Sequence, residues 1–268
     1  YSVTTMHTLF NITNTMILIW FIPQIEKIVS WIIPQKAEKE VFRLKYIQGG
    51  PLSTAELSLD EAEQEIVHFS EICYNGFGYM RQAINEKDPV KFGELREKLI
   101  KYEAITDRIE YEIADYLNEV SKGEISSSSA VRINGMYKII GELESIGDSG
   151  DAIGRILARR NEHGLSFDEQ QLKRLGRMCD LLDDAFKAMT NNLKAPYTSL
   201  KDITNAQDAE YNINECRNTL REEHIINIEE NSSYNYQVGV FYMDIVAELE
   251  KMGDFMINVS EAKIAENG

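Results

Sequence analysis

The sequence predicts an all-α protein: two tandem three-helix bundles preceded by an N-terminal membrane helix. Three observations carry this expectation. Only five prolines interrupt the 268 residues, and alternating β-branched runs are almost absent, so long helices account for the chain better than strands. One acidic phrase, Glu142-Leu143-Glu144-Ser145-Ile146-Gly147-Asp148, returns 106 residues later as Glu248-Leu249-Glu250-Lys251-Met252-Gly253-Asp254. Ahead of both lies the apolar block Met16-Ile17-Leu18-Ile19-Trp20-Phe21-Ile22.

The first element is that apolar block. From Thr8 to Ile33 the chain is long enough to cross a bilayer, which takes about 20 residues. Pro23, Gln24, Glu26 and Lys27 interrupt it, and a central charge costs about 2.5–3.5 kcal/mol on insertion scales. An amphipathic helix lying in the interface is therefore the other reading. Charge placement favours spanning. Residues 1–15 hold no Lys, Arg, Asp or Glu, whereas Lys36, Lys39, Arg43 and Lys45 follow the block. By the positive-inside tendency, residues 36–268 face the cytoplasm. Residues 1–35 then form the membrane segment and 36–57 a juxtamembrane linker containing Gly49-Gly50-Pro51. The chain starts at Tyr1, not methionine, so it is expected to continue a longer polypeptide. Alone, its apolar helix should drive oligomerisation.

The body follows in six helices. Ser58 with Glu61 has the spacing of a capping box and opens the first, to about Asn85. Asp88-Pro89 caps and begins the second, since proline suits the first helical position. Gly123 and the Ser126–Ser129 run separate it from a third, which continues to Gly164. Ser166 with Glu169 has capping-box spacing for the fourth, Pro196 divides fourth from fifth, and Asn231-Ser232-Ser233 divides fifth from sixth. The two halves, 58–164 and 165–268, keep one register throughout. Glu63-Gln64 aligns with Glu169-Gln170, Cys73 with Cys179, Lys87-x-Pro89 with Lys194-x-Pro196, and Glu103 with Glu210. Internal duplication is the reading that accounts for all these anchors together. Short turns between long helices imply antiparallel neighbours.

The repeated phrase carries the candidate chemistry. Glu144 and Asp148, like Glu250 and Asp254, are i,i+4 pairs on one helix face, where like charges repel by a few tenths of a kcal/mol. A mid-helix glycine, which costs about 1 kcal/mol against alanine, directly precedes each aspartate and leaves room for a neighbour. About forty residues earlier, Glu103 and Asp107 repeat the spacing; in the second copy Glu210 pairs with Asn214. Antiparallel packing could bring Glu103 and Asp107 to Glu144 and Asp148, giving oxygens suited to a hard cation such as Mg²⁺, Mn²⁺ or iron. The competing reading is a solvated acidic face paired by Lys101, Arg108 and Lys138.

Composition narrows the partners. After residue 57 the chain holds 23 basic against 40 acidic side chains, a balance that repels nucleic acid and anionic lipid. Cys73, Cys179 and Cys216 show no CxxC spacing and read as free buried thiols. Glu65-x-x-His68 has no counterpart in the second copy, where Arg174 aligns with His68, so a di-iron site of the ferritin type is not expected. Nor is enzymatic machinery: there is no Gly-rich phosphate loop, zinc-type spacing or Ser/His/Asp set.

The phrases at 142–148 and 248–254, once per three-helix unit, resemble the signature of the PhoU family. That resemblance implies two tandem three-helix bundles, metal clusters on E(D)xxxD motifs, and regulation of phosphate uptake. The metal role carries to Glu103, Asp107, Glu144, Asp148, Glu210, Glu250 and Asp254; Asn214 departs from the acidic pattern. His7-Thr8-Leu9-Phe10-Asn11 with the Pro23-interrupted apolar stretch is similar to the end of the transmembrane part of bacterial Na⁺/phosphate cotransporters. The implied protein is a cytoplasmic regulatory domain of a sodium-dependent phosphate symporter in the inner membrane. Its partner is then the transport domain of the same polypeptide, and a homo-oligomer is also admitted. The alternative is a structural helical module that binds a partner protein without metal.

Overall fold

The computed structural model describes residues 6–8, 10, 11, 13, 44–196, 199–230 and 234–265. The apolar block at 16–33 lies outside the described residues. Two compact units divide the chain, residues 1–43 and 44–268. In the first, residues 6–8, 10, 11 and 13 are helical, with Met6 and Phe10 exposed. No helix among the described residues is long and apolar enough to cross a membrane.

The described residues of the second unit form six long helices: α1 (Ala55–Asn85), α2 (Pro89–Ser121), α3 (Ser127–Glu162), α4 (Glu169–Lys194), α5 (Thr204–Glu230) and α6 (Tyr236–Ala265). No strand occurs among the described residues. Local chemistry explains most boundaries. Asp88 accepts from Val90 N and Lys91 N ahead of Pro89, as its sequence predicts. Ser126 caps α3 through Ser129 N, and Gly164 takes a left-handed φ of 65° just past its end. Two caps differ from expectation. Thr54 rather than Ser58 caps α1, because the Ser58 hydroxyl is occupied one turn inside, accepting from Leu52 N and donating to Thr54 O. The capping box of α4 is Asp168 with Gln171, not Ser166 with Glu169, since only that pair satisfies both orphan N–H groups.

Helices α1, α2 and α3 pack mutually, as do α4, α5 and α6. Three-residue and five-residue connections between packed neighbours make α1/α2 and α2/α3 antiparallel. The repeats join through equivalent helices: α3 against α6 is the most extensive pairing, and α1 lies against α4. Helices α2 and α5 pack only within their own repeats, leaving them on the flanks. Phe69, Met80, Ile109, Ile113, Leu117, Leu143 and Phe186 are fully buried and supply the core. At the α1–α4 seam, Phe77 and Phe186 rings stand 5.1 Å apart and Tyr74 donates to Asp183 at 2.6 Å. The three cysteines are free and buried, and the Cys73 thiol donates to Leu143 O.

Candidate metal centre

The glycine ahead of each motif aspartate marks where two helices come closest. A Cβ on Gly147 would lie 2.3 Å from Thr106 Oγ1 and 2.9 Å from Thr106 Cβ, so α2 occupies the space a side chain would fill. A Cβ on Gly253 would lie 2.9 Å from Ile213 Cδ1 of α5. Thr106 and Ile213 hold the same place in their repeats, one residue before Asp107 and Asn214. Thr106 is buried and donates to Glu103 O at 2.7 Å, which folds its hydroxyl back onto α2. The close approach sets the carboxylates of α2 beside those of α3.

Glu103, Asp107 and Asp148 converge there, with one oxygen from each within 4.8 Å of the others. Opposite ligands on a hard cation with bonds of about 2.1–2.6 Å stand about 4.2–5.2 Å apart, so these three oxygens have coordination spacing. The all-oxygen donor set suits Mg²⁺, Mn²⁺, Ca²⁺ or iron over softer metals. The electrostatics agree. Burial, then Asp107, raises the Glu103 carboxyl above its ordinary range. Burial and Asp107 do the same at Asp148, against Arg155. Glu144 stands beside the trio rather than within it. Burial and the charge of Asp148 push its carboxyl from the ordinary 4.5 up to about 7, with the Ser145 hydroxyl opposing. In each case burial is the larger cause, and the neighbouring carboxylates add to it.

Two residues near this cluster escape a reading by E(D)xxxD spacing. Glu110, one turn beyond Asp107, adds to the field on Glu144. Asp151 is almost buried and is held by both Arg96 and Arg155, so its charge is already answered.

The second copy is arranged differently. Asn214 Nδ2 donates to Glu210 Oε1, and Arg217 Nη2 donates to Glu250 Oε1 at 2.9 Å and Asn214 Oδ1 at 3.4 Å. Burial raises the carboxyls of Glu250 and Asp254, while Arg217 pulls both back. Arg217 follows Asn214 by three residues as Glu110 follows Asp107, so a guanidinium stands where the first copy has a carboxylate. Among the described residues, Glu210, Glu250 and Asp254 do not gather as a ligand group. The exchange at Glu110/Arg217 is visible in the duplicated register but lies outside the motif spacing.

Glu65 and His68 belong elsewhere. Glu65 is buried and accepts from Tyr46 N at 2.6 Å and Ile47 N at 3.3 Å, which ties the segment ahead of α1 to the bundle.

Residues 66–157 match the PhoU domain family. The fold is that of PhoU regulators. The crystal structure of the phosphate transport system regulatory protein PhoU from Streptococcus pneumoniae superposes with a TM-score of 0.63 at 19% identity, covering 80% of this chain and 96% of that one. PhoU from Pseudomonas aeruginosa superposes with a TM-score of 0.64 at 15% identity, covering 79% and 97%. No curated protein sequence matches the chain significantly.

Proposed function

We propose that this chain is a PhoU-like regulatory domain of phosphate transport that holds a hard divalent or trivalent cation in its first repeat. The convergence of Glu103, Asp107 and Asp148 across the α2–α3 approach carries the reading. Glu144, one turn before Asp148, would complete the set on rotation of its side chain, and Gly147 keeps the two helices near enough to share an ion. A bound cation would supply charge that offsets the raised carboxyls and would cross-link α2 to α3. The role is regulatory rather than enzymatic: the cluster would set the rigidity of a docking scaffold, not perform a reaction.

The domain would sit on the cytoplasmic side of a bacterial inner membrane, joined through residues 36–57 to a Na⁺-dependent phosphate cotransporter whose last membrane helix includes residues 1–35. The apolar length of 8–33 and the basic cluster on one side only support this. Labelling of Lys36, Lys39 and Lys45 by an impermeant reagent added outside intact cells would refute the orientation.

Metal content of the purified full chain tests the central claim. After equilibration with Mn²⁺ and removal of free ion, the protein should retain metal, and Glu103→Gln with Asp107→Asn should lose most of it. Equal retention by wild type and variant, or none by either, would overturn it. A helical module that binds a partner protein through acidic faces would then be the better account.

A further inference from the structure

Among the described residues of the second unit, three cationic side chains have almost no contact with solvent: Arg132, Arg160 and Lys263, at 8%, 5% and 2% exposure. Two are answered by carboxylates. Arg132 pairs with Asp60 at 2.7 Å and Glu63 at 3.0 Å, and Lys263 pairs with Glu63 at 3.0 Å. This is the expected arrangement, because an unpaired buried charge costs several kcal/mol. Arg160 departs from it. Its Nε and Nη2 both donate to one neutral acceptor, Asn161 Oδ1, at 3.1 and 2.7 Å, and its guanidinium carbon lies 4.4 Å over the Phe167 ring. It has no carboxylate partner among the described residues, in a chain with 44 acidic side chains.

Arg160 lines a cavity of about 480 Å³ where the first repeat hands over to the second. That volume lies within the range of small-molecule sites, about 300–1,000 Å³. Its walls combine apolar surface from Phe92 and Phe167 with the polar groups Lys87, Asn85 and Ser166. Lys87, on the α1–α2 connection, likewise makes no ion pair among the described residues. The one lining carboxylate, Glu86, is turned onto its own backbone, accepting from Lys87 N and Asp88 N at 2.8 Å each. The related opening beside Lys194 and Pro196 contrasts with it. Lys194 there pairs with Glu71 at 3.2 Å, and Asp60 and Glu63, which line it, hold Arg132 and Lys263. One cavity is neutralised from within and the other carries surplus positive charge.

We propose that the cavity at Arg160 is a binding site for a small organic anion. The ligand would present a phosphate or carboxylate group to Arg160 and Lys87 and an apolar body to Phe92 and Phe167. A planar guanidinium with donors to spare suits either oxyanion. The bland account is that Arg160 is a structural cation, held by Phe167 and by the negative end of α3. Binding separates the two, and neither outcome depends on metal in the acidic cluster.

The test uses the full chain, titrated by calorimetry and followed by thermal melting with phenyl phosphate, benzoate and the neutral benzyl alcohol. At about 10 mM, one or both anions should raise the melting temperature by mass action, whereas benzyl alcohol should not. The stronger of the two identifies the ligand's charged group as phosphate or carboxylate. Arg160→Gln should weaken binding about tenfold or more, as loss of a charge-assisted hydrogen bond does. Lys87→Gln, at an exposed position that leaves the core intact, should weaken it several-fold and keeps the test decisive if Arg160→Gln fails to fold. No shift with either anion, or a shift that survives both substitutions, would overturn the proposal.

Discussion

Gly147 sits in the middle of a 36-residue helix because Thr106 occupies the volume its side chain would need. Helix propensity alone would favour alanine at any glycine of α3. Gly141, with nothing within 4 Å of an added Cβ, should follow that rule, and Gly141→Ala should stabilise by about 0.5–1 kcal/mol. Gly147→Ala should instead destabilise by about 1–3 kcal/mol through overpacking, and adding Thr106→Ala should recover part of the loss. Chemical denaturation of the four proteins measures all of this; a stabilising Gly147→Ala would show that α2 moves away without cost. The carboxyl beside this contact makes a second prediction. Glu144 titrates near 7 in the fold against an ordinary 4.5, so the folded state holds its proton more tightly than the unfolded state. Stability is therefore lost as pH rises from the ordinary value through the raised one. Without metal, the melting temperature should fall between about pH 5 and 8, and Glu144→Gln should flatten that fall. A profile unchanged by the substitution would mean that Glu144 ionises freely in the fold.

The helices were legible for identifiable reasons: proline at Pro89, the break after Lys194 and the serine run before α3 are backbone signals that tertiary packing does not override. The caps at Thr54 and Asp168 were not, because several hydroxyl and carboxyl groups near each helix start have suitable spacing, and only the path of the preceding chain selects one. The acidic pairs were legible as helix faces, and the glycines as points of close approach. Which carboxylates converge was not, since spacing along a helix places Glu144 and Asp148 on one face without saying which reaches across to α2. The largest omission was Arg217. One change of charge at the position aligned with Glu110 turns an open acidic cluster into one closed on itself. Arg217→Glu with Asn214→Asp should give α5 and α6 the acidic set of α2 and α3. Metal retained per chain, measured by elemental analysis, should then rise toward twice the wild-type value. No increase would mean that the α5–α6 approach, set by Ile213 rather than a threonine, holds its side chains too far apart for a shared ion.

At the scale of the molecule, the two repeats share their most extensive contact along α3 and α6, the helices that carry the repeated phrase. Glu142 of the first phrase accepts from Asn258 at 3.1 Å, and Arg132, Glu63 and Lys263 link α3, α1 and α6 through one partly buried carboxylate. A cation bound between α2 and α3 would thus be felt along the seam. Melting should remain a single transition, and adding Mn²⁺ should move the whole of it upward, because a ligand that binds only the folded state stabilises by mass action. The two repeats should contribute unequally. Glu144→Gln with Asp148→Asn removes two charges from the acidic cluster of the first repeat and should abolish most of the Mn²⁺-dependent rise. The paired change Glu250→Gln with Asp254→Asn acts where Arg217 already answers the carboxylates, and should leave most of the rise intact. Calorimetric melting of both variants with and without Mn²⁺ decides it. An equal loss from both would assign metal to both repeats and show that Arg217 yields its place to the ion; a rise unchanged in both would remove these motifs from the ligand set.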